Sequence, residues 1–296
     1  MKTKMSNPLL YGVLFVLFLA VIFGAACCNN KPLYPGQNIY TQTDLAHKYV
    51  REHIVNPSSY AVESRYFVDV GLYESKESRD KKEKPSQHVR KFLFGANGVA
   101  TVIPQGKGYL ITAGHVIKTA EAEEMVAKIV ANTEKANPGM FLDAKVIAEY
   151  GVVAVNGKSF SASSIATEEG IDLGIIQVKN IKSFDGKGVA LSKETNWADK
   201  SVFIIGNPLD IKNVILDARI SNGLIEHREE LGDIMYVVVP IAPGNSGGAV
   251  ISVYDLKMAG VVSAVVTNKD PPSLTSHGIF IPNTVIEKFL EKHLPK

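Results

Sequence analysis

Three side chains in this sequence could together activate a hydroxyl. Ser246 lies in Pro243-Gly244-Asn245-Ser246-Gly247-Gly248, between two runs that read as strands. A serine hydroxyl is a poor nucleophile until a base removes its proton. The flanking glycines let the chain turn sharply and let a substrate carbonyl approach closely. They also let main-chain N–H groups face the oxygen that turns negative during acyl transfer. Alone the string is modest evidence, because glycine-rich hairpins use serine for ordinary turns. A base is required, and the chain has seven histidines. His115 differs from the others by ending an apolar run, Tyr109-Leu110-Ile111-Thr112-Ala113-Gly114, in which small Ala113 and Gly114 leave room around a ring. An imidazole base needs a carboxylate to fix its tautomer and stabilise its charged form. Asp172 heads the apolar run Leu173-Gly174-Ile175-Ile176, where an acid is costly unless paired or hydrogen-bonded. Taken singly, His115 reads better as a satisfied core histidine, and Asp172 reads plausibly as a turn or strand-capping acid. The weight comes from three such residues in one order, each beside a strand, with gaps large enough to place His115 and Asp172 on one barrel and Ser246 on another.

The elements that must hold them read as strands. Runs rich in β-branched and aromatic residues fall at 66–73, 92–94, 99–103, 109–112, 145–155, 173–178, 202–205, 235–239, 249–253 and 259–266. The pairs Asn97-Gly98, Asn156-Gly157, Asp185-Gly186 and Asn222-Gly223 read as turns. Many short strands with this punctuation predict an all-β sandwich or pair of barrels, not alternating βαβ units. Helical spacing appears only at 43–55, ended by Asn56-Pro57, at 119–136 and at 283–293. Between 74 and 84, five positive and four negative charges crowd eleven residues, which reads as a mobile hairpin loop, with a docking arm as the alternative.

Composition narrows the function. The 296 residues carry 32 Lys+Arg against 30 Asp+Glu, a formal charge of +2, which provides no electrostatic footprint for nucleic acid. The hydrophobic share of 46% is that of a packed globule. The two cysteines, Cys27 and Cys28, are neighbours near the N-terminus, so the folded body has no disulfide framework, cysteine nucleophile or cysteine-based zinc site. No metal or organic cofactor is expected.

Residues 1–28 read as a membrane-directing segment. Lys2 and Lys4 precede an uncharged run over 9–26, long enough to span a bilayer as a retained anchor. Gly24-Ala25-Ala26-Cys27 also resembles a bacterial lipoprotein cleavage box, in which Cys27 would be lipidated; both readings stay open. Either one exports the body and leaves the basic start inside. Residues 29–60 then form a tether and short helix, and 61–296 form the folded domain, with a barrel boundary near 180–200.

The motifs Thr112-Ala113-Gly114-His115, Asp172-Leu173-Gly174-Ile175-Ile176 and Gly244-Asn245-Ser246-Gly247-Gly248 resemble those of the chymotrypsin-fold serine peptidases, and within them the bacterial Deg/HtrA-type group. Ile205-Gly206-Asn207-Pro208, Gly260-Val261-Val262-Ser263-Ala264 and Gly278-Ile279-Phe280-Ile281-Pro282 extend the resemblance over roughly 92–282. It implies two six-stranded antiparallel β-barrels with a few peripheral helices, and a membrane-anchored endopeptidase acting on polypeptides outside the cytoplasm. His115 would be the base, Asp172 its orienter and Ser246 the nucleophile. An oxyanion hole would form at Gly244, Asn245 and Ser246, from the N–H groups of Gly244 and Ser246. Ser263 would hydrogen-bond Asp172, and Ser263, Ala264 and Val265 would pair with the substrate backbone. Asn245 stands where zymogens of this fold carry an aspartate, so activation by a freed N-terminus is not expected. Pro240, at the specificity-pocket position, is not an acid, which implies small or medium apolar residues before the cleaved bond. The stretch after Pro282 is too short for the peptide-binding (PDZ) domains of many Deg-type enzymes. Two other readings compete. An α/β-hydrolase requires the chain order serine, acid, histidine. A catalytically silent scaffold of the same fold needs no such set of residues.

Overall fold

The computed structural model describes residues 39–296 except 107, 208–213, 230, 240, 266–276 and 296. The segment expected to direct membrane insertion, with Cys27, lies outside the described residues, as does Pro240. Among the described residues no helix is long and apolar enough to cross a membrane.

The chain enters through α1 (Ile39–Val50), which continues as a π-helical turn over 51–55. Val50 and Val55 are buried in the core, so this helix packs on the body rather than standing apart from it. Strands β1 (Ser59–Tyr73), β2 (Gln87–Val102) and β3 (Tyr109–Ala113) follow, with the short α2 (Lys76–Asp80) between the first two. After α3 (Gly114–Ile117) and α4 (Ala120–Ala136) come β4 (Phe141–Ala154), β5 (Ser159–Glu168) and β6 (Ile171–Val178). These six strands close in the antiparallel order β1-β2-β3-β6-β5-β4. The second half holds β7 (Ser201–Gly206), β8 (Val214–Ile220), β9 (Glu226–Arg228), β10 (Gly232–Val238), β11 (Ala249–Ser252), β12 (Met258–Val265) and β13 (His277–Pro282). Its order is β13-β12-β11-β7-β8-β10, closed by β10 on β13, with β9 attached as a hairpin strand on β10. The helix α5 (Asn283–His293) ends the fold.

Alternation along the strands explains why two barrels fuse into one body. On β6, Ile176 and Val178 point into the first barrel with Leu110, Val152 and Phe160. On β7, Val202 and Ile204 point into the second with Trp197, Val250 and Phe280. The intervening residues, Leu173 and Ile175 on β6, Ile111 on β3, Phe203 and Ile205 on β7, join a third cluster between the barrels. Strands buried on both faces must read as continuous apolar runs, which β3, β6 and β7 do. Fully burying each Ile or Leu contributes about 1.5–3 kcal/mol, so the seam between barrels is as strongly held as either interior. α5 covers this seam with Ile286, Phe289 and Leu290, spaced to share one helix face.

Several expectations need correcting. The charged stretch 74–84 does connect two strands of a hairpin, but it contains α2. Ser75 caps that helix by accepting from Ser78 N–H at 3.1 Å, and Arg79 pairs with Glu134 of α4 at 2.9 Å. Asn97-Gly98 is not a turn; it lies inside β2, opposite Glu63 and Val62 of β1. A Cβ at Gly98 would meet Ser246 O at 2.7 Å and Val116 Cγ2 at 2.8 Å. The glycine is there for a close approach between barrels, not for chain reversal. The polar strands β5 and β9, and β8, were not anticipated.

The strands β1, β2 and β4 run beyond the barrel, since β2 pairs with β3 only at Thr101 and Val102, and β4 pairs with β5 only from Tyr150. Their outer halves form a three-stranded arm. Tyr66 and Tyr150 at its base donate to Val116 O (3.2 Å) and Ile117 O (2.8 Å), which fixes the helical turn that carries His115.

Candidate active site

The pairing of β3 with β6 sets Ala113 opposite Leu173. The residues flanking that pair, Gly114-His115 and Asp172, therefore meet at the same end of the two strands. A Cβ at Gly114 would lie 3.1 Å from Asp172 Oδ1 and 3.0 Å from Leu173 O, so the missing side chain is what lets the turn approach the acid. His115 N–H donates to Asp172 Oδ1 at 2.8 Å, and His115 Nδ1 lies 2.9 Å from Asp172 Oδ2. Ser263 Oγ donates to the same Oδ2 at 2.6 Å. The carboxylate side chain is 4% exposed. Burial alone pushes its pKa up, yet the bonds from His115 and Ser263 and the neighbouring imidazole hold it below the ordinary aspartate value. Burial likewise pushes His115 down, but the hydrogen bond and charge of Asp172 outweigh it and hold the imidazole above its ordinary value.

Ser246 arrives from the second barrel on the turn before β11. Gly244 and Gly247 have φ of +97° and +82°, a region that glycine enters without strain. A Cβ on Gly247 would also collide with Val99 O and Thr112 Oγ1. Backbone bonds weld this turn to both barrels: Gly247 N–H to Val262 O at 2.7 Å, and Val99 N–H to Ser246 O at 2.8 Å. Ser246 Oγ donates to Ser263 O at 3.3 Å. Ser263 thus touches both Asp172, through its hydroxyl, and Ser246, through its carbonyl. It sits at a register break between Val262 and Ala264 in the β12–β13 ladder, which frees it to turn toward the acid. Among the described residues no hydrogen bond joins Ser246 Oγ to His115 Nε2.

Of the three residues expected at the oxyanion hole, Gly244 and Ser246 have N–H groups that meet no acceptor among the described residues. Asn245 does not offer its own, which donates to Ala242 O at 3.1 Å. Its fully buried side chain instead presses against Gly206, where any Cβ would collide with Oδ1. Ala264 and Val265 pair with β13 on one edge, Ser263 being skipped at the register break, while β11 stops pairing at Val261, leaving the other edge of Ser263 to Val265 without a partner strand among those described. Sequence reasoning missed Ile241, whose Cδ1 fills the space that a Cβ at Gly278 would take. It places an apolar side chain against the start of β13, beside Val265. Nothing in the sequence signals this contact. Among the described residues no cluster of His, Cys, Asp and Glu could hold a metal ion.

This fold and constellation define the class. The family model of the trypsin-like peptidase domain matches residues 96–261, and the chain belongs to that family. Curated relatives come from Buchnera aphidicola. A probable periplasmic serine endoprotease, DegP-like, from the Schizaphis graminum subspecies is 24% identical over 216 residues, 71% of this chain and 38% of that protein. A probable serine protease do-like from the Acyrthosiphon pisum subspecies is 26% identical over 194 residues, 64% of this chain and 32% of that one. The matches span about a third of those relatives. Among solved structures, the active form of the Rv3671c protease of M. tuberculosis superposes with a TM-score of 0.53 at 16% identity, covering 82% of this chain and 83% of that one. An HtrA-type protease with a tripeptide gives 0.52 at 16% identity, covering 83% and 62%. At that identity the structures speak for the two-barrel fold.

Proposed function

We propose that this protein is a serine endopeptidase in which Ser246 attacks the peptide carbonyl, His115 takes and returns the proton, and Asp172 orients the imidazole. The observation that carries the reading is the doubly bonded His115–Asp172 pair meeting Ser246 around Ser263. With Nδ1–H held by Asp172, Nε2 is left with its lone pair free to accept a proton. Ser246 must first turn its hydroxyl from Ser263 O toward Nε2. Long catalytic bonds in the free enzyme commonly tighten only when substrate binds. Collapse of the tetrahedral intermediate expels the leaving amine with the proton from His115. Water then repeats the sequence on the acyl-enzyme. The N–H groups of Gly244 and Ser246 are the donors for the oxyanion.

We place the body outside the cytoplasm, tethered to a membrane by residues 1–28. The basic, apolar character of that segment and the periplasmic designation of the DegP-like relative support this. The test is a fluorophosphonate probe applied to intact cells. It should attach at Ser246 of the wild-type chain in the membrane fraction and leave Ser246→Ala unlabelled. Labelling found only in the soluble fraction would remove the tether. No labelling would favour a catalytically silent scaffold, in which Ser246 Oγ stays on Ser263 O as it does among the described residues.

Because His115 must be neutral to act and Asp172 holds its pKa above the ordinary histidine value of about 6.5, kcat/KM should rise with pH through a midpoint above that value. A pH–rate profile flat between pH 5 and 8 contradicts the role of His115. Ile241 against Gly278 and the absence of an acid at Pro240 favour a small or medium apolar side chain before the cleaved bond. Peptide-library profiling should show it, and dominant cleavage after Arg would refute it.

A further inference from the structure

A second cleft opens beside the oxyanion donors, on β1 and β2. It is a shallow cleft open to solvent, lined by Ala61, Glu63, Asn97, Gly98, Asn207 and Gly244 among others. Glu63 is the one charged residue in that lining. Gly244 supplies both a wall of this cleft and a proposed oxyanion donor, so the cleft adjoins the reacting carbonyl. Ser246 stands between the cleft and β12. Its hydroxyl reaches Ser263 O, while its carbonyl accepts from Val99 N–H beside Gly98. If the acyl part of a substrate lies along Ser263, Ala264 and Val265, the chain beyond the cleaved bond must leave on the opposite side, over Gly98 and Asn97 toward Glu63.

We propose that this cleft receives the polypeptide on the leaving-group side and that Glu63 selects a cationic residue, Lys or Arg, at the second or third position after the cleaved bond. The inference rests on the endopeptidase reading. Glu63 sits directly opposite Asn97 on β2 and Gly151 on β4, so two small or neutral neighbours leave its carboxylate facing the cleft. Its present partner is Arg65, at 3.1 Å, two residues along the same strand face. Both side chains are substantially exposed, at 46% and 62%. An exposed pair of this kind is weakly held, so a substrate cation can share or displace it. Arg65 in turn stands opposite Glu149 in the β1–β4 register, an acid that already pairs with Arg90 at 2.7 Å, so Arg65 displaced from Glu63 returns to solvent. Asn97 adds an amide that can accept from a lysine or arginine head. The acid is therefore placed for recognition rather than for chemistry, and its effect is on which peptide is cut.

The experiment compares peptides identical up to and including the residue before the cleaved bond, with Lys, Ser or Glu placed in turn at the first, second and third positions after it. Competition between peptides in one tube gives kcat/KM ratios that do not depend on the amount of active enzyme. Wild type should prefer Lys over Ser by about two- to fivefold at the second or third position, as expected for an exposed charge pair. It should disfavour Glu. In Glu63→Gln the Lys-to-Ser ratio should fall to near one, and in Glu63→Lys the order of Lys and Glu should reverse. A structural role for Glu63 would slow all peptides together and leave the ratios unmoved, which overturns the proposal. Equal cutting of all three peptides by wild type overturns it as well while leaving the endopeptidase reading standing. No cutting of any peptide brings down that reading and the selection with it.

Discussion

Replacing Ser246 with alanine is expected to lower kcat by about a million-fold, with little loss of stability. The magnitude follows from how such a set acts: loss of the nucleophile alone removes nearly all the gain that the three residues supply together, about 2 × 10⁶ in one well-studied hydrolase. What remains comes from binding and the oxyanion donors, roughly 10³–10⁴ over water. Here the proposed donors are main-chain groups of Gly244 and Ser246, which the substitution leaves in place. The stability side is what makes the experiment decisive. Among the described residues the Ser246 hydroxyl makes a single hydrogen bond, 3.3 Å to Ser263 O, and the turn around it is held by backbone bonds from Gly247 and Val99. One ordinary hydrogen bond contributes about 0.5–1.5 kcal/mol, so the thermal midpoint should move by a few degrees at most. Turnover measured beside thermal unfolding separates the outcomes. A folded variant with undiminished turnover ends the assignment of Ser246. A collapsed fold would mean that the serine is held for structure.

The parts of the site that sequence makes legible are those where residue type and local context are both demanding. An acid at the head of Leu173-Gly174-Ile175-Ile176 is expensive unless something meets it, and His115 and Ser263 do. The strands β3, β6 and β7 that meet at the seam between barrels are legible for the same reason: strands buried on both faces cannot disguise themselves with alternation. The misreadings come from residues whose chemistry serves two ends. Asn97-Gly98 has the composition of a tight turn, but Gly98 is required by Ser246 O and Val116, which lie 148 and 18 positions away in the chain. β5 hid because its sequence, Ser159 to Glu168, is mostly small and polar, although Phe160 and Ala162 do point alternately into the first barrel. The charged stretch 74–84 gains its helix from a local Ser75 cap and a distant partner, Glu134. Asn245 reads as a departure at a specificity-of-activation position. Its structural reason is the glycine at 206 against which it packs, a neighbour visible only once β7 and the serine turn are folded together.

The Asp172→Asn variant tests the orienting acid, with an expected loss in kcat of about 10⁴. In the wild type both carboxylate oxygens are acceptors: Oδ1 takes His115 N–H, and Oδ2 takes both Nδ1–H and the Ser263 hydroxyl. An amide has one accepting end. If its NH2 replaces Oδ1 it faces the His115 N–H, donor against donor; if it replaces Oδ2 it faces Nδ1. The second arrangement forces Nδ1 to accept, which moves the ring proton to Nε2 and removes the lone pair that Ser246 needs. Either way the imidazole loses the charge that favours its protonated form, so the activity that survives should titrate at lower pH than the wild type. The same change has a signature in stability. A carboxylate whose folded pKa is depressed contributes stability that is whole above its unfolded value, about 3.9, and fades as pH falls through the folded value. Asn cannot contribute it at any pH. Wild type should therefore exceed the variant in unfolding free energy at neutral pH, by roughly 1.5–3 kcal/mol for a hydrogen bond to a charged group, and the gap should begin to narrow as pH falls below about 4 and vanish only below the depressed folded value. Urea titrations at neutral pH and at successive acid pH values follow the narrowing. A gap that stays constant with pH would mean that shape, not charge, is what Asp172 provides.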